Sequence, residues 1–205
     1  MGGGVLPGPV DDLGPEIVID DGTLARTESP IPGPIGLQAQ GGTGTSGSAS
    51  LGEQVVTFAR DRIGRSTGSG ECFDLVDQAL RNAGAKTAAD FGMVTPNADY
   101  VWGNPVSLAE ARPGDIIQFR NYRYDRTIKT DSSTDTDFQE RPHHTAIVER
   151  IDGDGAITVL EQNVPEGSAG QRTQLFFSNV NTNTSGRRTT ISVHGRVRFY
   201  RPQPR

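Results

Sequence analysis

The order of the helical and strand patterns along the chain is the feature that most constrains its fold. Two helical patterns come first: apolar residues recur at helical spacing from Val55 to Ile63, and a second such pattern covers residues 72–83. Because the strand patterns all follow the helical ones rather than alternating with them, we predict the α+β class, with N-terminal helices packed on an antiparallel sheet. The predicted strands are residues 115–120, 145–151, 156–161, 173–177 and about 189–200, the last broken at Gly195.

Local signals mark where the two predicted helices begin and end. Ser50 and Glu53 have the spacing of a capping box, in which the hydroxyl and the carboxylate accept hydrogen bonds from free N–H groups at the helix start. Gly64 supplies a stop for the first helix, and a Gly/Ser-rich loop over residues 64–70 leads to the second, which Gly84 ends.

Two connections between the strands differ in kind. Residues 152–155 read Asp-Gly-Asp-Gly, a tight turn that joins its flanking strands into a hairpin. Residues 121–142 are polar and interrupt the strand patterns, so we predict a long inserted loop there. Loops of that length are usually functional or disordered, and this one is placed to shape or cover a cleft.

Composition divides the chain into a tail and a domain. Residues 1–49 are rich in Gly, Pro, Ser and Thr and cannot bury enough apolar surface to offset the entropy of ordering. We therefore predict a flexible tail or linker, able to bind a protein partner, followed by one domain at residues 50–205. Residues 16–20 contain a short apolar stretch, for which a strand or a docking peptide is the alternative.

Charge and hydropathy exclude several classes of protein. The net charge of the 205 residues is −5 and no basic block stands out, so nucleic acid is not an expected partner. A run of about 18 apolar residues is missing, which argues against a membrane span. The N-terminus lacks the pattern of a signal peptide, so we expect a cytoplasmic or non-classically exported protein, or part of a longer chain. We expect a monomer.

The single cysteine lies where a nucleophile is expected. Cys72 opens the second predicted helix after a Gly-rich approach, where helix N–H groups and the macrodipole favour a thiolate and can bind an oxyanion. It also excludes an internal disulfide, because a disulfide needs two cysteines. His144 begins a strand pattern downstream and is the candidate base. If these two side chains do not meet, Cys72 is a small core residue of a non-catalytic domain.

A third residue is needed to orient the candidate base. Glu161 and Asn163 follow on the neighbouring strand of the predicted hairpin and share one face of it, so either can hold the imidazole ring of His144. Gln162 projects to the opposite face. The side chain of His143 points to the face opposite that of His144, so His143 is a candidate for substrate contact.

Candidate substrate contacts are Trp102, His143 and Gln162, with a core or cleft-wall position as the alternative for Trp102. A zinc set drawn from Cys72 and the histidines is the competing chemistry. Adjacent strand histidines point apart, however, and close-spaced ligand pairs are missing. We therefore predict that the domain uses neither a metal nor another cofactor.

The motifs around these residues resemble a known enzyme family. Gly-Glu-Cys at a helix start, Pro-Gly-Asp-Ile-Ile before a strand, His-x-Ala-Ile-Val and Glu-x-Asn are similar to the CHAP branch of the NlpC/P60-type, papain-like cysteine hydrolases. The resemblance implies a papain-like fold, with Cys72 as nucleophile, His144 as base and the third residue drawn from Glu161 or Asn163. Most members are amidases or endopeptidases that act on peptidoglycan peptides.

A second resemblance covers about residues 50–202. Together with the motifs above, Tyr-Val-Trp-Gly-x-Pro-Val and Val-Leu-Glu-Gln-Asn resemble a C-terminal papain-like domain of fungal cortical actin-patch proteins that carry SH3 domains, and of some plant Pro-rich proteins. This likeness implies the fold without a particular reaction. Two functions are therefore expected: a cysteine amidohydrolase or peptidase, or a non-catalytic papain-like module that binds a protein or peptide.

Overall fold

The computed structural model describes residues 17–19, 49–153 and 155–205. Two α-helices and two 3-10 helices precede or interrupt the strands. The helices are α1 (Leu51–Arg60), α2 (Cys72–Asn82) and the 3-10 turns Ala88–Asp90 and Leu108–Glu110. The strands are β1 (Ile17–Ile19), β2 (Asn104–Val106), β3 (Ile116–Lys129), β4 (Thr134–Gly153), β5 (Ala156–Glu161), β6 (Gln171–Phe176), β7 (Val180–Thr184) and β8 (Arg187–Arg201).

The described strands form one sheet in which every pairing is antiparallel. Its order is β1-β8-β3-β4-β5-β6, and the short strands β2 and β7 pair with β8 beside β1. The predicted α+β arrangement, two helices followed by an antiparallel sheet, is confirmed. Within the described residues, no helix is long and apolar enough to cross a membrane.

The helices pack on one face of the central strands. The predicted capping box is present: the Ser50 hydroxyl accepts a hydrogen bond from the Glu53 N–H at 3.3 Å, and the Glu53 carboxylate accepts one from the Ser50 N–H at 2.7 Å. The apolar stripes of α1 and α2 then meet the sheet in one core cluster, which positions the start of α2 over β4 and β5. The buried members on the two helices and the strands include Val55, Val56, Ala59, Leu75, Val76, Leu80, Ile116, Ile147 and Leu160.

A second core cluster lies on the opposite face, because the sheet curls on itself. Phe177, just after β6, packs its ring 5.5 Å from that of Phe199 on β8, although these strands are far apart in the sheet order. The Tyr122 hydroxyl on β3 donates a hydrogen bond to the Phe176 carbonyl at 2.6 Å. The curl brings the β6 edge of the sheet over β3 and β8, with an apolar interior between them.

The structure corrects the prediction of a long loop at residues 121–142. These residues continue β3 and β4 as a hairpin whose pairing runs from Ile116↔Ile147 to Lys129↔Thr134, and β3 also pairs with β8 as far as Lys129↔Arg188. Its outer part is polar on both faces, so no apolar alternation marked it as strand. The cross-strand pair of Arg126 and Asp137, 2.5 Å apart, is one of the contacts that hold it.

A β-bulge at the base of this hairpin explains the break predicted in the last strand. The register between β3 and β8 shifts between Arg120 and Arg123, where Asn121 has a φ of 52°. Opposite it, Gly195 has a φ of 99°, and a Cβ there would lie 2.2 Å from the Asn121 carbonyl oxygen. β8 therefore runs through this point without ending, and only glycine fits it.

The described part of the N-terminal region is a strand. Residues 17–19 form β1, which pairs with β8 in the register Ile17↔Val197. This is the strand alternative expected for the apolar stretch at residues 16–20. The remainder of the predicted tail, apart from the residue next to the domain, lies outside the described residues.

Candidate active site

Cys72 occupies the first position of α2. Glu71 is the N-cap, with extended backbone and no side-chain cap hydrogen bond. The loop that leads to Cys72 is held by Asp74, whose carboxylate accepts hydrogen bonds from the Ser69 N–H at 2.7 Å and the Ser69 hydroxyl at 2.6 Å. A Cβ on Gly68 would lie 2.6 Å from that Asp74 side chain. The Gly-rich sequence thus permits the close turn that presents Cys72 at the helix N-terminus.

Gln162 ties this turn to the end of β5. Its side-chain oxygen accepts a hydrogen bond from the Thr67 N–H at 3.0 Å, and its amide nitrogen donates to the carbonyls of Thr67 at 3.0 Å and Glu71 at 2.6 Å. The side chain is fully buried. We expected Gln162 to contact substrate; the structure instead uses both of its amide hydrogens to hold the loop before Cys72.

His144 lies on β4 and links Cys72 to β5. Its Nε2 is 3.0 Å from Oε2 of Glu161, and the ring lies close enough to the Cys72 side chain for each group to shift the pKa of the other. Because Nε2 is engaged by a carboxylate, the proton belongs on Nε2 in the neutral ring, and Nδ1 remains to take the thiol proton. The structure therefore brings together the two side chains on which the hydrolase prediction depends.

Glu161 is held by a buried ion pair. The guanidinium of Arg141 donates to both of its carboxylate oxygens, at 2.9 and 2.6 Å, and both side chains are at most 1% exposed. Burial alone would raise the pKa of Glu161, but the hydrogen bonds from His144 and Arg141 outweigh it and lower that pKa to about 2. Glu161 therefore remains a carboxylate next to the imidazole at every ordinary pH.

The sequence reasoning missed Arg141. It lies in the segment interpreted as a loop, and its parity along β4 differs from that of His144, so strand alternation does not point to it. A usable signal was present in Glu161 itself: a carboxylate at the end of an apolar strand needs a buried cation or several donors.

The pKa of Cys72 is lowered and that of His144 is raised, and both shifts favour a thiolate–imidazolium ion pair. Burial raises the pKa of the Cys72 thiol, but the hydrogen bond and positive charge of His144 and the backbone N–H of Thr145 lower it further than burial raises it. Burial lowers the pKa of His144, and its contacts with Cys72 and Glu161 more than reverse that effect. Thiolate and imidazolium thus stabilise each other.

The Asn163 side chain hydrogen-bonds groups other than the His144 ring. Its amide nitrogen donates to the Glu71 carboxylate at 3.0 Å, and its side-chain oxygen accepts from the Gly167 N–H at 2.6 Å. Strand β5 ends at Glu161, and Asn163 has a φ of 67°. The expectation that it shares a face with Glu161 assumed that the strand continues, so of the two alternatives the structure places Glu161 at the ring.

Trp102 lies in the core beneath the site. Its side chain is fully buried, its Nε1 donates to the Gln118 side chain at 3.2 Å, and its ring packs 5.2 Å from that of Phe73. It occupies the core position left open as the alternative to substrate contact. His143 is partly exposed, and its Nε2 lies 2.8 Å from the Ala98 carbonyl oxygen.

Two cavities flank Cys72 and His144, and His143 lines both. The first, about 550 Å³, is lined by Cys72 and by residues that include Glu71 and Tyr100. The second, also about 550 Å³, is lined by His144, residues 138–142 and residues 163–166. The base of the β3–β4 hairpin therefore forms a wall beside the site and leaves space on both sides of it. In the part of the chain that the structure describes, no group of three or more His, Cys, Asp or Glu side chains is arranged to hold a metal ion.

A thiol at a helix N-terminus, beside a histidine on an antiparallel sheet, is typical of cysteine-proteinase-fold domains of the papain-like kind. The family model that matches the chain, over residues 45–205, describes the AIM3/BBC1 cysteine proteinase-fold domain. Because this match covers more than half of the chain, the protein belongs to that family. The matches support the papain-like fold, and membership of the CHAP or NlpC/P60 branch stays a prediction.

The chain is also similar to a curated protein, Altered inheritance of mitochondria protein 3 of the yeast Debaryomyces hansenii. The two are 28% identical over 166 residues, which is 75% of this chain and 16% of that protein. The chain thus spans less than a fifth of this relative. No solved structure gives a significant match to the chain.

Proposed function

We propose that this domain is a cysteine hydrolase that cleaves an amide bond of a peptide, with Cys72 as nucleophile, His144 as general base and acid, and Glu161 as the positioning residue. One observation carries the proposal: His144 lies between Cys72 and a carboxylate that Arg141 holds ionised, with open cavities on either side. A buried ion pair used only for stability has no need of a thiol at the other ring nitrogen.

In the proposed reaction, the Cys72 thiolate attacks the amide carbonyl carbon and forms a tetrahedral intermediate. The developing oxyanion lies at the N-terminus of α2, where the Cys72 N–H is free to donate to it. The His144 imidazolium then protonates the amide nitrogen, the C–N bond breaks and the amine leaves. A thioester remains on Cys72.

Hydrolysis of the thioester returns the enzyme to its starting state. Neutral His144 removes a proton from water, whose oxygen attacks the thioester carbonyl, and the C–S bond breaks to release the acid and the Cys72 thiolate. Glu161 stays ionised throughout, because its pKa of about 2 lies far below the working range. Its role is to orient the ring and stabilise the imidazolium.

The substrate is proposed as a peptide, and peptidoglycan stem peptides are one class to test because of the resemblance to the CHAP branch. A non-catalytic peptide-binding module is the second candidate. It is favoured by one observation: the chain matches only 16% of a much longer relative, as a binding domain in a multidomain protein does. Such a module uses the same two cavities without turnover.

The test is the pH dependence of Cys72 alkylation by iodoacetamide in the wild type and in His144→Ala. Because the pKa of Cys72 is lowered and that of His144 is raised, we expect rapid alkylation to persist below pH 7 in the wild type. In His144→Ala the midpoint should move up to or above the pH of an ordinary thiol, since burial and the Glu71 charge are then opposed only by the Thr145 N–H. His194→Ala, on β8 opposite Arg123 along the hairpin, is the matched control and should keep the wild-type profile.

Glu161→Gln adds a second comparison, because it keeps the size of the side chain and removes its charge. We expect a Cys72 midpoint between those of the wild type and His144→Ala. An ordinary thiol midpoint in the wild type would refute the hydrolase. Rapid alkylation without turnover of any peptide, wall peptides included, would favour the binding module.

A further inference from the structure

The charges of the catalytic groups cancel one another. The Cys72 thiolate is paired with the His144 imidazolium, and Glu161 is paired with Arg141. These four side chains therefore contribute little net charge to the groove, which we define as the two cavities flanking them. The sign of the potential in the groove is set by its rim.

The rim is acidic on both sides of the catalytic pair. The first cavity is lined by Glu71 and Asp74, and the second by Glu140 and Glu166. Among the described residues lining either cavity, the one arginine or lysine is Arg141, which is buried and bonded to Glu161.

Three of these four carboxylates, those of Glu71, Asp74 and Glu166, make no ion pair with another described side chain. Glu71 and Asp74 accept hydrogen bonds from neutral donors, an amide for the first and a serine for the second. Glu140 lies 3.5 Å from the guanidinium of Arg123, which offsets part of its charge. Glu166 is exposed on the loop after Asn163.

The charge on one side of the rim acts directly on the nucleophile. The negative charge of Glu71 raises the pKa of Cys72, against the lowering produced by His144. A carboxylate that opposes thiolate formation disfavours the chemistry, so its presence next to the nucleophile calls for a compensating benefit. A cation bound beside Glu71 supplies one, because it cancels this effect when substrate is in place.

We propose that the groove selects basic peptides, with one positively charged side chain next to Glu71 and Asp74 and another next to Glu166, on the two sides of the scissile amide. This inference rests on the proposed function and names its substrate class. Clefts lined by one sign of charge concentrate ligands of the opposite sign and speed their association. Acidic peptides are disfavoured by the same field.

Two small thiol reagents of opposite charge test the field without knowledge of the substrate. The rates at which a trimethylammonium-ethyl and a sulfonato-ethyl methanethiosulfonate modify Cys72 are measured at pH 9 and divided by their rates with 2-mercaptoethanol. We expect a preference of about tenfold for the cation in low salt. It should shrink as the salt rises, since the Debye length falls to about 3 Å at 1 M.

Variants that remove one carboxylate charge at a time then show which residues produce the field. Glu71→Gln and Glu166→Gln should each reduce the preference at least about twofold. Asp135→Asn, a change of the same charge on the exposed outer part of the hairpin, should leave it unaltered. Glu71→Gln has a further signature: it should speed alkylation by neutral iodoacetamide below pH 7, because removing the carboxylate lowers the pKa of Cys72.

Peptide chloromethyl ketones of matched length, with lysine or glutamate beside the reactive group, extend the test to the proposed ligand. The lysine reagent should inactivate the wild type about tenfold faster, and this ratio should fall in Glu71→Gln. A cation preference below about twofold in low salt, or one unaffected by both glutamine variants, overturns the proposal. The alkylation midpoint decides the proposed function separately, because charge preference at pH 9 does not require a lowered thiol pKa.

Discussion

Replacing Arg141 with methionine isolates the contribution of the buried ion pair. Arg141→Met keeps an unbranched apolar side chain but leaves the Glu161 carboxylate buried with only His144 as a charged partner. The loss can be estimated in two ways. Each of the two hydrogen bonds to a charged group contributes about 1.5–3 kcal/mol. A pKa depressed from 4.5 to about 2 corresponds to about 3 kcal/mol, shared with His144.

The two hydrogen bonds together give about 3–6 kcal/mol, and the pKa shift gives about 3 kcal/mol that Arg141 shares with His144. We therefore expect a loss of about 3 kcal/mol in the free energy of unfolding at pH 7, which urea denaturation measures. The pH dependence has a defined sign. Because the folded pKa of Glu161 lies below its unfolded value, its contribution is complete above about pH 5 and is lost as the pH falls towards 2. In Arg141→Met the folded pKa rises, so the variant should lose less stability than the wild type over that interval.

Two further variants make the reasoning refutable. The double variant Arg141→Met with Glu161→Met removes the uncompensated charge, so it should recover most of the lost stability while leaving Cys72 with a raised alkylation midpoint. Arg123→Met removes the exposed ion pairs with Asp125 and Glu140 and should cost less than about 1 kcal/mol. A loss below about 1 kcal/mol in Arg141→Met, or a double variant as unstable as the single one, refutes the estimate.

Two other changes test how the site is supported. Gln162→Ala leaves backbone groups of Thr67 and Glu71 without partners, so we expect about 1–3 kcal/mol less stability and slower alkylation of Cys72. Gln174→Ala, at an exposed position, is the control, and equal effects of the two changes would contradict this role of Gln162. Gly195→Ala forces a Cβ against Asn121 at a positive φ and should cost about 2 kcal/mol or more by thermal unfolding, whereas Gly92→Ala, with open space, should cost little.

Local patterns in the sequence were sufficient for the parts of this protein that depend on neighbours along the chain. The capping box of Ser50 and Glu53, the start of α2 at Cys72 and the α+β order all follow from short-range hydrogen bonding and periodicity. The strand of His144 was also predictable, because a short run of apolar residues marks its inner half. These features need only a few consecutive residues to be specified.

The tertiary structure alone decided which side chains meet. Strand parity places Glu161 and Asn163 on the same face, so it does not decide which of them reaches the His144 ring. The structure decides it, because β5 ends at Glu161 and the backbone of Asn163 is left-handed. Arg141 was hidden in a polar segment whose strand pairing is specified by its partner strand rather than by its own pattern. The burial of Trp102 and Gln162 depends on packing across elements distant in sequence. Periodicity reports which residues share a face, whereas contact across the sheet depends on where strands end, bulge and curl.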